Sequence, residues 1–169
     1  ATPVTQPVEI IRDRVGATRI IAATQDDAYF ALGFAHAQDR LWQMDTYRRI
    51  GSGQVAEVMG APGLTVDRFM RTLGLYRSAE RQVESLPTPV QAALRAYARG
   101  VNAFIDQHEG PWPPEFSLLA YEPGPWHPAD SLVLGKLLAL LLDGNWFEEL
   151  RRAALLDRLT PAEVDFLMS

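Results

Sequence analysis

The chain has 169 residues, 47% of them hydrophobic, which is the composition of a folded unit with a core and not of a disordered segment. With 16 basic against 21 acidic residues and a formal net charge of −5, it lacks the basic face that phosphate binding needs, and nucleic acid is excluded as a partner. The absence of cysteine removes thiol catalysis, disulfides and thiolate metal sites, and the longest apolar stretch, Leu132–Leu142, is interrupted by Lys136 and too short to span a bilayer.

The chain begins ATPVTQP, with neither an initiator Met nor a basic-then-apolar leader, as the mature end of a processed, exported protein would. Val8–Arg12 and Arg19–Ala23 are short β-branched runs around Gly16 and predict a hairpin. At Thr24, with Asp27 three residues on, a long helix begins that nothing but Gly33 interrupts before Gly51-Ser52-Gly53. Along it Ala31, Phe34, Ala35, Leu41 and Trp42 recur at helical spacing, and Gln38 and Asp45 fall on the same stripe, so the core face carries polar groups.

A second helix is predicted over about Val66–Ser85, with Val66, Phe69, Met70, Leu73, Tyr76 and Val83 in register across Gly74. A third opens at Thr88-Pro89-Val90-Gln91, which has the form of a capping box with Pro at the first helical position. Its apolar face is Val90, Ala93, Leu94, Tyr97, Ala98, Val101, Phe104 and Ile105. Glu109–Pro128, rich in Pro and holding Trp112 and Trp126, is too broken for a helix and reads as a loop packed on a partner surface. A leucine-rich helix over about Asp130–Leu142, a break at Asp143-Gly144-Asn145, a helix through Arg158 and a last helix capped by Thr160-Pro161-Ala162-Glu163 complete the chain. These stripes carry more apolar surface than the helices bury among themselves, so something else is expected to cover it.

Chemistry is sparse. His36, His108 and His127 form no metal-ligand spacing, and each is more simply a capping, surface or satisfied core histidine. Ser52 lies in a Gly-Ser-Gly turn and not in a nucleophile elbow. Asp26-Asp27 and Glu148-Glu149 are adjacent acids that do not share a helix face, which leaves a cation ligand or a solvated surface open but not an acid/base couple. By itself the chain reads as a helical binding or structural unit.

The run His36-Ala37-Gln38-Asp39-Arg40-Leu41-Trp42-Gln43-Met44-Asp45, then Arg48-Arg49, Gly53 and Ala56-Glu57, resembles the start of the penicillin acylase family. The likeness continues through Ala98-Arg99-Gly100-Val101-Asn102-Ala103, through Tyr121-Glu122-Pro123 with Trp126, Pro128 and Asp130-Ser131, and through Gly144-Asn145-Trp146 with Glu149-Leu150. It departs after Asp13-Arg14-Val15-Gly16, where Ala17-Thr18-Arg19-Ile20 stands in place of the family's Val-Pro-His-Ile.

The resemblance implies that residues 1–169 are the small α chain of a self-processed heterodimeric amidohydrolase. Such a chain is mainly helical with a short N-terminal hairpin and wraps the αββα core that a larger β chain supplies. It contains no catalytic residue, because the nucleophile and its base are the β-chain terminus. The enzyme would lie in the periplasm or be secreted, would need no organic cofactor, and would hold a structural calcium shared with the β chain through Glu149. The acyl-pocket wall would comprise Leu138, Ala139, Leu142, Asp143 and Trp146, with Gly135 leaving depth. An ungapped count from Trp126 puts Ala139, Leu142 and Asp143 where phenylacetyl-specific members carry Met, Arg and Phe. That favours aliphatic N-acyl amides, with N-acyl-homoserine lactones and aliphatic penicillins foremost. The alternatives are a non-catalytic helical interaction module and an inactive family member.

Overall fold

The computed structural model describes residues 4–168, so part of the ATPVTQP start lies outside the described residues. The hairpin is present: β1 (Glu9–Arg12) pairs antiparallel with β2 (Thr18–Ile21), Glu9 opposite Ile21 and Arg12 opposite Thr18. The Asp13 carboxylate accepts from the amides of Val15 and Ala17, and Gly16 takes the positive φ of +83° that the turn requires.

The long helix is α1 (Gln25–Ser52), capped by Thr24, whose hydroxyl oxygen accepts from the Asp27 amide at 3.1 Å. It ends at Gly53, whose φ of +70° lets its amide turn back to the carbonyls of Arg49 and Ile50. The helix is not uniform, because Arg40 leaves helical geometry at φ −143°, ψ 24°. Before it, Phe30, Ala31, Gly33, Ala35 and Ala37 face inward; after it, Leu41, Met44 and Asp45 do. Gln38, expected on the core stripe, is exposed and accepts from Arg12 of β1 at 2.6 Å.

The predicted second helix is two, α3 (Leu64–Leu73) and α4 (Leu75–Ser85), preceded by a single helical turn, α2 (Ala56–Met59). Gly74 at φ +70° separates them, and on the split Val66, Phe69 and Leu73 become exposed while Met70 and Ala79 are buried. Asp67 of α3 is buried because its two oxygens accept the amides of Val55 and Ala56, both at 2.8 Å, and so cap α2 from a distance.

Helix α5 (Thr88–Gln107) crosses α1 at its glycines. A Cβ on Gly33 would lie 2.1 Å from the Tyr97 carbonyl oxygen, and one on Gly100 would lie 1.9 Å from that of Phe30. Two backbones therefore touch where side chains normally separate helices. The expected capping box does not form. Pro87 occupies the cap position, its carbonyl accepting from Gln91, and the Gln91 side chain donates instead to the Leu86 and Glu84 carbonyls at the end of α4. Val90, expected on the apolar face, is exposed, while Ala96 and Gly100 join Ala98 and Val101 inside.

The Pro-rich segment contains one short helix, α6 (Pro114–Leu118), and is packed on this chain's own core, not held out for a partner. Phe116 and Trp126 are buried with Leu41, Met44, Ala98 and Val101, and the Trp42 ring meets Phe116 edge-on at 5.3 Å. Asn102 fixes the segment's end by giving its amide hydrogen to the Trp126 carbonyl and accepting the Trp126 amide. With its backbone paired this way and its Nε1 donating to Ser131 Oγ at 3.0 Å, Trp126 is buried without an orphaned polar group.

Helix α7 (Pro128–Leu142) buries Ala129, Val133 and Leu137. The chain divides within it into two compact units, Ala1–Leu137 and Leu138–Ser169. The second comprises the last turn of α7, then α8 (Trp146–Leu156) and α9 (Pro161–Met168). Here the capping box is realised: Glu163 accepts the amide and hydroxyl of Thr160, and Thr160 accepts the Glu163 amide. Arg152 of α8 bonds Asp165 of α9, and Val164 is buried.

Candidate functional site

Two groups of residues matter. The first is a polar network in the longer unit. Asp45, with 1% of its side chain exposed, receives Nε and Nη2 of Arg48 on one oxygen, at 2.8 and 2.6 Å. Its other oxygen receives Nε of Arg49 and the hydroxyl of Tyr121, both at 2.8 Å. All four acceptor sites of the carboxylate are therefore filled, which makes Asp45 a structural group and not a base.

Arg48 continues to the carbonyls of Gly124 and Pro125 and to Asp130, which also accepts from the Tyr76 hydroxyl at 3.0 Å and the His127 amide at 2.7 Å. Burial opposes the charge of Arg49, but its bond to Asp45 and that group's field outweigh this and raise its pKa. Burial, then the neighbouring Asp130 and Asp45, push the Tyr76 and Tyr121 phenols well above their ordinary range, so both act as neutral donors. The interleaved Arg and Asp of α1 are thus reconciled with a core position by internal pairing.

Arg48, Arg49, Tyr76 and Asp130 of this network line a cavity of about 660 Å3, whose lining also includes Arg71, Arg77 and Glu57. Asp130, Tyr121, Arg71 and Arg77 were not singled out by sequence reasoning as members of one site. The only signal for the first two is their place in the Tyr121–Ser131 motif.

The second group is the predicted wall, which lies on the shorter unit. Leu138, Ala139 and Leu142 occupy one face of the last turn of α7 at spacings of one, three and four, and all are exposed, Leu138 at 57% and Leu142 at 77%. None is a core residue of this chain. Gly135, one turn earlier, has nothing within 4 Å of the position a Cβ would take. Asp143 is exposed and accepts from the Asn145 amide, and Trp146 is half-buried with its ring edge-on to Phe147.

Glu149 is exposed and accepts from the Asn145 side chain through Oε1 at 3.0 Å, whereas Glu148 faces Arg151 at 3.9 Å. Among the described residues no cluster of three or more His, Asp or Glu could hold a metal. Glu149 nonetheless fits a shared hard-cation site: Oε2 makes no hydrogen bond among the described residues, and a carboxylate oxygen is the donor calcium takes. The other ligands would come from outside these residues.

The penicillin amidase family model matches residues 7–169. Penicillin acylase 2 proenzyme of Pseudomonas sp. (strain SE83) is 43% identical over 88% of this chain and 19% of its own length. Acyl-homoserine lactone acylase QuiP of Pseudomonas aeruginosa is 38% identical over 91% of this chain and 18% of its own. The chain thus spans about a fifth of the length of these relatives. Among solved structures, a thermostable penicillin G acylase from Alcaligenes faecalis superposes with a TM-score of 0.79 at 28% identity, covering 98% of this chain and 90% of that one. Among the described residues no helix is long and apolar enough to cross a membrane.

Proposed function

The chain belongs to the penicillin amidase family, and from that premise we propose that it is the small subunit of a self-processed, two-chain amidohydrolase that cleaves N-acyl amides to a carboxylic acid and an amine. Two facts about the relatives support a separate small chain. It spans about a fifth of the curated relatives, one of them a proenzyme, yet covers 90% of the matched chain of the solved acylase. The nucleophile then belongs to the larger chain, and this chain supplies structural support and part of the acyl pocket.

The single observation that carries the substrate reading is the exposed aliphatic face of Leu138, Ala139 and Leu142, apolar surface that this chain leaves uncovered. With Asp143 and Trp146 beside it, such a wall suits an unbranched acyl chain, and it carries no cation to meet a carboxylate on the leaving group. N-acyl-homoserine lactones and aliphatic penicillins are the substrates proposed, ahead of phenylacetyl amides. Glu149 would be this chain's ligand to a structural calcium, and the compartment proposed is the periplasm or the exterior.

The test is kcat/KM of the full-length enzyme for octanoyl, decanoyl and phenylacetyl derivatives of one amine. A gain of about three- to four-fold per added methylene up to the pocket's end is expected. A clear preference for phenylacetyl overturns the substrate reading. Failure of the purified precursor to yield a second chain beginning with Ser, Thr or Cys overturns the two-chain reading.

A further inference from the structure

The 660 Å3 cavity holds four guanidinium groups, Arg48, Arg49, Arg71 and Arg77, of which only the first two are matched by acids. Arg71 is held by one bond from Nε to the Gly53 carbonyl, at 2.7 Å. Arg77 folds back over Gly74 and is held by one bond from Nη2 to the Arg71 carbonyl, at 3.3 Å. Neither has an ion-pair partner among the described residues, because the two acids of the cavity are already engaged: Glu57 by Arg49, Asp130 by Arg48, Tyr76 and the His127 amide. Backbone carbonyls orient a guanidinium but leave its full charge uncompensated. Two such forks lining one cavity leave free N–H donors of the kind that a carboxylate pairs with through parallel N–H to O bonds.

The surroundings say which carboxylate. The helices that furnish Glu57 and Arg71, α2 and α3, also carry exposed Met59, Leu64 and Leu73. Arg71 and Arg77 are themselves exposed, and exposed arginines on helices that also expose Met and Leu have the composition of a protein interface, in which Arg and Met are enriched, not of a site for a freely diffusing anion. Relatives are about five times longer than this chain, so most of the folded protein lies outside it. We propose that the cavity receives an Asp or Glu side chain from the large remainder of the same protein, bound by Arg71 and Arg77, and that this carboxylate locks the α2–α4 region onto that remainder. The proposal rests on the functional reading only for the existence of that remainder. It holds whether or not the precursor is cut.

The first arm of the test uses the native full-length enzyme and phenylglyoxal, which modifies accessible arginines. Arg71 and Arg77 are expected to be unreactive in the assembled enzyme and to react once urea separates its parts. Reaction in the assembled enzyme overturns the proposal, and so does protection that appears only with added acetate or phosphate, which would mark a free-anion site. In the second arm, full-length Arg71→Lys and Arg77→Lys variants are treated with a carbodiimide, which joins amines to adjacent carboxylates, and the linked peptides are mapped. A link from position 71 or 77 to an Asp or Glu beyond residue 169 supports the proposal. Links only to Glu57 or other acids of this chain, or no link at all, overturn it. Purification as a single uncut chain would count against the two-chain reading while leaving both arms readable.

Discussion

Gly100 of α5 lies so close to Phe30 of α1 that a Cβ on it would sit 1.9 Å from the Phe30 carbonyl oxygen. The obstacle is backbone, which cannot rotate away, so Gly100→Ala must pry the two helices apart. The expected cost is ~3 kcal/mol, at the upper end of what overpacking takes. Gly33→Ala acts on the same crossing through Tyr97, so the double variant is expected to lose less than the sum of the two. Apparent melting temperatures of the full-length enzyme check this, and unchanged values for Gly100→Ala would show that the crossing is looser than described.

Asp45 pairs with two nearly buried arginines at once. Asp45→Ala leaves Arg48 only Asp130 at 3.4 Å and Arg49 only Glu57 at 3.0 Å, and is expected to destabilise by ~3 kcal/mol, the lower end of the cost of removing one partner from a buried pair. Tyr121→Phe removes a single hydroxyl bond to the same carboxylate and is expected to cost ~1 kcal/mol. Denaturant midpoints of the two variants give the comparison, and equal losses would contradict the central role given to the charge.

Asp27 is held below its ordinary 3.8 chiefly by the Thr5 hydroxyl and amide, with Thr24 adding to the effect. A lowered folded-state pKa means that Asp27 contributes its full stabilisation above about 3.8 and loses it as pH falls through the lower folded value. The stability difference between the native enzyme and Asp27→Asn is therefore expected to be constant at neutral pH and to shrink below pH 3.8. Denaturation midpoints measured from pH 7 to pH 2.5 test the sign; a difference that widens in acid would reverse it.

Glu149 and Glu148 are neighbours with different surroundings, one bonded to Asn145 and open at Oε2, the other turned toward Arg151. If the proposed calcium and precursor processing hold, Glu149→Ala is expected to weaken calcium retention by at least about tenfold, the loss that even outer-shell partners produce, and to slow maturation. Glu148→Ala is expected to do neither. Metal analysis after dialysis against a chelator separates the two, and equal behaviour would remove Glu149 as the ligand.

Ala139 is the smallest side chain of the exposed α7 face, between Leu138 and Leu142. Ala139→Phe is expected to fill the depth of the proposed pocket and lower the decanoyl-to-octanoyl ratio of kcat/KM by about tenfold, two methylenes at ~0.8 kcal/mol each. An unchanged ratio would place Ala139 outside the pocket.

Much of this molecule is local and was readable from residue order alone. The hairpin around Gly16, the Thr24 cap, the break at 143–145 and the Thr160–Glu163 box each depend on residues a few positions apart, where steric and hydrogen-bonding preferences act without help from the rest of the chain. The family is legible for the same reason, since its motifs are short runs of adjacent residues. Tertiary structure decided what depended on distant partners. Gln38 left the core stripe, where Arg12 binds it from β1; Thr88 did not cap α5 because Gln91 was drawn to the end of α4. The Pro-rich segment, read as a loop packed on a partner surface, packs instead on its own chain's core and is held there by Asn102. The grouping of Asp45, Tyr76, Tyr121 and Asp130 through Arg48 and Arg49, beside a cavity that two unmatched arginines also line, joins residues up to 85 positions apart (45 to 130). No periodicity encodes such a set, because charges choose their partners only after the chain has closed around them.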